Sequence, residues 1–132
     1  MARGLSIEGF SNSDDSVSVA VRVSPPTLRV SPELAEALLS SRPTLAKHAC
    51  KHRGMGRFGD KIVDSTLPHL VEHLAIDLLV EENAEVIAGT TTWIDHAQGV
   101  MQVKVSSTAQ GARETYAAIT RAVALVNSYL EQ

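Results

Sequence analysis

The stretch Leu67-Pro68-His69-Leu70-Val71-Glu72-His73-Leu74-Ala75-Ile76-Asp77-Leu78-Leu79-Val80 is apolar on every side of a helical axis. Leu70, Val71, Leu74, Ala75, Ile76, Leu78, Leu79 and Val80 surround that axis, so the helix belongs in a core and not on a surface. Its polar residues are His69, Glu72, His73 and Asp77, and at 100° per residue they share one sector of about 140°. Buried polar groups need partners, and a metal ion satisfies several of them at once.

Upstream, Ser65 or Thr66 can cap this helix, with Pro68 in its first turn. The helix is expected to run to about Glu82, with Asn83 closing it. Gly54, Gly56 and Gly59 mark a loop anchored by Phe58, and Thr44 to Lys51 fits a helical turn or two. Ser31-Pro32-Glu33 reads as a cap, a first-turn proline and an early acid, which starts a short helix reaching about Ser40. Before it, Val17, Val19, Val21 and Val23 alternate with Ser18, Ala20 and Arg22, the period of a half-buried strand that Ser24-Pro25-Pro26 stops. Ser11 to Asp15 reads as a polar, turn-prone opening.

Downstream, Val86 to Ile94 and Val100 to Val105 predict two strands joined by Asp95-His96-Ala97-Gln98-Gly99 as a hairpin loop. Ser107 or Thr108 is the expected cap of a last helix, whose apolar positions Ala112, Tyr116, Ile119, Val123, Val126 and Leu130 follow a 3.6-residue period. The order strand, helix, loop, helix, strand, strand, helix predicts an α+β domain with helices packed on one face of an antiparallel sheet.

His69 and His73 stand at i and i+4, so both imidazoles leave one helix face and can share one ion. Glu72 lies on that face, where it can deprotonate a water without being a ligand; zinc lowers the pKa of such a water toward ~7. H-x-x-E-H is the mirror of the zincin H-E-x-x-H pattern. A catalytic zinc takes three protein ligands. Cys50 and Glu114 are the leading candidates for the third, with His48, His52, Asp95 and His96 behind them. The plainer roles are a small buried hydrophobe for Cys50, a first-turn acid for Glu114, and a basic surface stretch with Lys47, Lys51 and Arg53 for His48 and His52. Trp93, the sole tryptophan, is expected in core packing; exposed near the site it would be a binding platform.

With 132 residues, 44 % hydrophobic and 20 % charged, the chain fits one domain spanning 1–132. Its net charge of −3 argues against nucleic acid or an anionic membrane as partner. No apolar run approaches the roughly 18 residues of a membrane span. Met1 to Gly9 lacks a signal-peptide core, and a lone cysteine excludes an internal disulfide, so a reducing cytoplasm is the expected location.

Leu45 through His48 and Cys50, Gly56 and Phe58, Thr66, and His69-x-x-Glu72-His73-x-Ala75-x-x-Leu78 resemble the N-terminal domain of cyanophycin synthetases, in which H-x-C, G-F and G-T segments run into H-x-x-E-H-x-A-x-x-L. The match is specific from about Leu45 to Leu79 and weaker through the later strands and last helix. Some of those domains are metal-dependent hydrolases that cut the polymer into primers. The resemblance therefore implies Cys50, His69 and His73 as ligands and Glu72 as general base. The family's ATP-dependent ligase domains have no counterpart in this sequence, so a stand-alone domain and not a synthetase is expected. The broader pattern is similar to S-ribosylhomocysteine lyase, with two histidines and a cysteine, and to pitrilysin-type peptidases, with two histidines and a glutamate. That comparison favours Cys50 over Glu114.

The strand after the motif helix departs from the family. Where relatives carry a basic G-[K/R]-T-R stretch, this chain has Gly89-Thr90-Thr91-Thr92-Trp93, and Gly54-Met55-Gly56 is one residue shorter than the family loop. Both changes point away from cyanophycin itself as the substrate. The leading expectation is a zinc-dependent hydrolase of peptide or amide bonds, acting on a peptide or small amide and plausible as a homodimer. Behind it stand a non-catalytic metal-containing module and, last, a lyase of the ribosylhomocysteine type.

Overall fold

The fold is that of a computed structural model, which describes residues 3–50, 54, 56–82, 87–108 and 110–131. Four strands form one antiparallel sheet in the order β1-β2-β4-β3: β1 Gly4–Asn12, β2 Ser16–Ser24, β3 Gly89–Asp95 and β4 Val100–Ser106. Three helices accompany them, α1 Pro32–Ser41, α2 Leu67–Glu82 and α3 Ala112–Leu130. Helix α2 packs on β3 and β4 and helix α3 on β1 and β2, so one face of the sheet is covered. The α+β expectation holds. No helix of the described residues is long and apolar enough to cross a membrane.

The alternating valines build the centre of the sheet. Val17, Val19 and Val21 of β2 pair with Val105, Val103 and Met101 of β4, and all six are buried. Burying one such side chain is worth roughly 1.5–3 kcal/mol. A one-residue slip would turn the whole set outward, which fixes the register.

Two expectations need correction. The opening is not merely a turn: Gly4–Asn12 is a full strand, β1, hairpinned to β2. Leu5 and Ile7 face the same side as the valines, but an irregularity between Ile7 and Gly9 moves the next inward position to Phe10. That bulge breaks the period-2 pattern, so the strand reads as irregular in sequence. The last helix is not capped by Ser107 or Thr108. Gly111, at φ 92, is its N-cap; the Gly111 amide donates to the Ser107 carbonyl at 2.8 Å in a turn before the helix proper. The left-handed conformation suits glycine, so the start lies three or four residues later than the hydroxyl pattern indicates.

Elsewhere the elements follow the sequence closely. Ser31 caps α1 by accepting from the Leu34 amide at 3.1 Å. Residues 43–47 form one 3₁₀ turn, shorter than the helical expectation over Thr44 to Lys51: residues 48–50 are extended, with Ala49 bridged to Arg57, and Lys51 lies outside the described residues. Thr66, not Ser65, caps α2, accepting from the His69 amide at 3.2 Å; the Ser65 hydroxyl donates to the Lys61 carbonyl instead. Asn83 and Val86, expected at the end of α2 and the start of the next strand, lie outside the described residues. Helix α2 is enclosed by the sheet, by α3 and by residues 43–50 and 56–62, from which Leu45, Phe58 and Ile62 are fully buried.

Candidate metal centre

The polar sector of α2 is buried: His69, Glu72, His73 and Asp77 are 4–8 % exposed. The segment facing it is a short ladder in which the Phe58 amide donates to the His48 carbonyl and the Cys50 amide to the Gly56 carbonyl, both at 2.8 Å. His48 and Cys50 are two residues apart in extended chain, so both side chains leave the same side. An extended two-residue step covers about 6.6 Å, and a helical four-residue step covers about 6 Å. The ladder therefore lies antiparallel along the helix in matching register. Cys50 meets His69, with Sγ 3.7 Å from Nε2, and His48 meets the next turn, with Nδ1 3.3 Å from Nδ1 of His73.

One ligand atom each from Cys50, His69 and His73 falls within 4.8 Å of the others, and all three residues are buried. Phe58 sets the rings. It stacks on His73 at 4.1 Å and 17°, and meets His69 edge-on at 5.3 Å. The Lys61 ammonium donates to the carbonyls of Cys50, at 2.9 Å, and of Gly54, which holds the loop carrying the thiol.

Glu72 stands beside this trio, its Oε2 3.9 Å from His73 Nε2. Its other oxygen accepts from the Thr91 hydroxyl at 2.6 Å. Burial raises the Glu72 carboxyl above its ordinary value, and the bond from Thr91 pulls the other way. His73 is held neutral: burial first, then His69 and His48, push it down to about 3. A neutral imidazole is the form that binds a metal. Asp77 is driven up by burial, but the bonds from His48, Thr44 and Arg42 outweigh this and leave it below its ordinary value, an anion.

The other candidates fall elsewhere. Glu114 is exposed on α3 and lines a depression with Leu78, Leu79 and Arg121, apart from the trio. Asp95 and His96 are exposed in the β3–β4 hairpin, where Asp95 accepts from the Gln98 amide and His96 packs on Trp93 at 4.3 Å. His52 lies outside the described residues. His48 is neither a surface residue nor a member of the trio; it bridges His73 and Asp77. Trp93, expected in the core, is 39 % exposed at the edge strand, with the Arg29 guanidinium 6.0 Å from its ring.

Two contributors escaped the reading of the sequence. Thr91 belongs to a strand with no charged residue before Asp95, and its bond to Glu72 depends on β3 lying over α2. Gly89 permits that approach: a Cβ there would lie 3.0 Å from Glu72 Cγ, 3.0 Å from the Lys104 carbonyl oxygen and 3.1 Å from Ile76 Cδ1.

A family model described as cyanophycin synthase-like N-terminal domain matches residues 22–131. A search of curated proteins finds no match. The matched span runs from within β2 to the end of α3 and takes in every residue of the centre. The chain belongs to the cyanophycin synthase-like N-terminal domain family.

Proposed function

We propose that this domain is a metal-dependent hydrolase of peptide or amide bonds, with Cys50, His69 and His73 as the ligands of one divalent ion and Glu72 as the general base. The observation that carries the reading is the convergence of the three ligand atoms within 4.8 Å, with the Glu72 carboxylate 3.9 Å from His73. The donor set fits the group: one soft thiolate and two imidazoles suit zinc on grounds of softness, and three protein ligands leave a position open. When bound, the ion supplies Lewis acidity for the substrate carbonyl. Glu72 takes the proton of the attacking water and returns it to the leaving amine. Its raised pKa helps the second half of that task, and Thr91 keeps the carboxylate aimed. On this reading the domain shares the fold of S-ribosylhomocysteine lyase and pitrilysin-type peptidases, works in the cytoplasm on a peptide or small amide, engages neither nucleic acid nor membrane, and forms a homodimer.

The test is hydrolysis of a panel of peptides, dipeptides and isopeptides by zinc-loaded protein. Cleavage that falls at least about 100-fold in Glu72→Gln supports the assignment. Cleavage of no panel member, by protein shown to hold its metal, counts against it.

One observation favours a second reading, a non-catalytic module with a structural ion. Cys50, His69, Glu72 and His73 are each under 9 % exposed, and the depressions at Asp77 and at Glu114 are lined by none of them. A fourth protein ligand closing the coordination sphere would identify that case.

A further inference from the structure

The proposed hydrolysis leaves two ionisable groups beside the trio without a task, the half-buried His48 and the buried Asp77. Their geometry is specific. Asp77 sits one helical turn beyond His73 and receives three donors: Arg42 Nε on Oδ2 at 2.8 Å, and the Thr44 hydroxyl and His48 Nε2 on Oδ1 at 2.8 and 2.9 Å. The other ring nitrogen of His48 is 3.3 Å from His73 Nδ1. A chain thus runs from a carboxylate through one imidazole to a second imidazole, and the second belongs to the trio.

We propose that Asp77 and His48 are positioning residues that fix the tautomer of His73. A carboxylate only accepts, so His48 must carry its proton on Nε2 to donate to Asp77. A His48 ring that carries only this one proton has a bare acceptor at Nδ1. The contact with His73 closes only if His73 brings its proton on Nδ1. His73 is left with its lone pair on Nε2, the nitrogen that lies 3.9 Å from Glu72. Arg42 and Thr44 complete the device by holding Asp77 in place, so the orientation of a core imidazole is set by groups bordering a surface depression lined by Ser41, Arg42, Thr44, Asp77 and Glu81. Outer partners of this kind typically change metal affinity by about 10–100-fold. The role assigned to the Nε2 lone pair rests on the metal-centre reading; the tautomer itself does not.

The experiment has a metal-free arm and a zinc arm. In the first, long-range ¹H–¹⁵N correlation spectra of ¹⁵N-labelled metal-free protein at neutral pH read the tautomer of His73 directly. Wild type is expected to show the Nδ1–H form, His48→Leu to lose that preference, and His48→Gln to keep it, because an amide offers both an acceptor and a donor. In the second, zinc affinity against a competing chelator is expected to fall about 10–100-fold in His48→Leu and to recover most of that loss in His48→Gln. An Nε2–H tautomer in wild type overturns the proposal, and needs no variant to fold. A normal zinc affinity in folded His48→Leu overturns it as well. If wild type binds no zinc but shows the His48-dependent Nδ1–H form, the hydrogen-bonded chain stands and the metal reading alone falls.

Discussion

The hydroxyl of Thr91 donates to Oε1 of Glu72 at 2.6 Å, tying the candidate base on the buried helix to an edge strand of the sheet. Thr91→Val keeps the shape and removes the donor. One carboxylate oxygen then loses a partner in a buried site, at a cost of about 1–3 kcal/mol. The bond holds the Glu72 pKa down, so its loss raises that pKa further. Urea unfolding is expected to show the loss of stability, and the acidic limb of the pH–rate profile for hydrolysis to move to higher pH.

Gly89 is the second point of contact between β3 and α2. A methyl group there meets the Lys104 carbonyl oxygen at 3.0 Å, a backbone atom, besides Glu72 and Ile76 side chains. Gly89→Ala is expected to cost about 1–3 kcal/mol through overpacking. Paired measurements of the urea midpoint and of hydrolysis should both fall, whereas Thr92→Ala, exposed on the same strand, should leave both near wild type.

Stability of the metal-free protein should decline on the acid side. His73 is depressed to about 3, whereas its unfolded value is about 6.5. Between those limits the unfolded chain binds a proton that the folded chain does not, so stability falls as pH drops below about 6.5, by up to about 1.4 kcal/mol per unit. Asp77 is also depressed, so its contribution is present above its unfolded value of about 3.9 and is lost as pH falls through the folded value. Denaturant unfolding at pH 7.5 and pH 5 in the presence of a chelator should show the first loss, and His73→Gln should flatten it. Glu72 works the other way, because burial raises its carboxyl and the folded chain takes up that proton first. The His73 effect is therefore read as the difference between wild type and His73→Gln, and an identical pH dependence of the two would contradict the buried neutral state of His73.

How much of this was legible differs from element to element. Helix α2 was plain because eight apolar side chains surround its axis, and the polar sector survives intact as a buried row. The strand β1 was hidden because its bulge after Ile7 interrupts the alternation, and the start of α3 because glycine conformation, not a hydroxyl, caps it. The residues alone left Cys50 and Glu114 open as third ligand, since each has a plain structural role. The structure brings Cys50 to the histidines because the 48–50 step matches one helical turn. That match is a tertiary register. The H-x-C spacing carries its signal, but only beside a helix already known to present His69, His73 and Asp77 in line. Thr91 and Gly89 carried no such signal, because their roles exist only once the sheet lies over the helix.

The most direct test of the central claim is the metal content of the purified protein by mass spectrometry, with His69→Ala and Cys50→Ala beside it. The account predicts about one zinc per chain in wild type, lost in both variants. No metal in wild type, even after zinc is supplied, would contradict it and leave a buried histidine cluster in a binding domain.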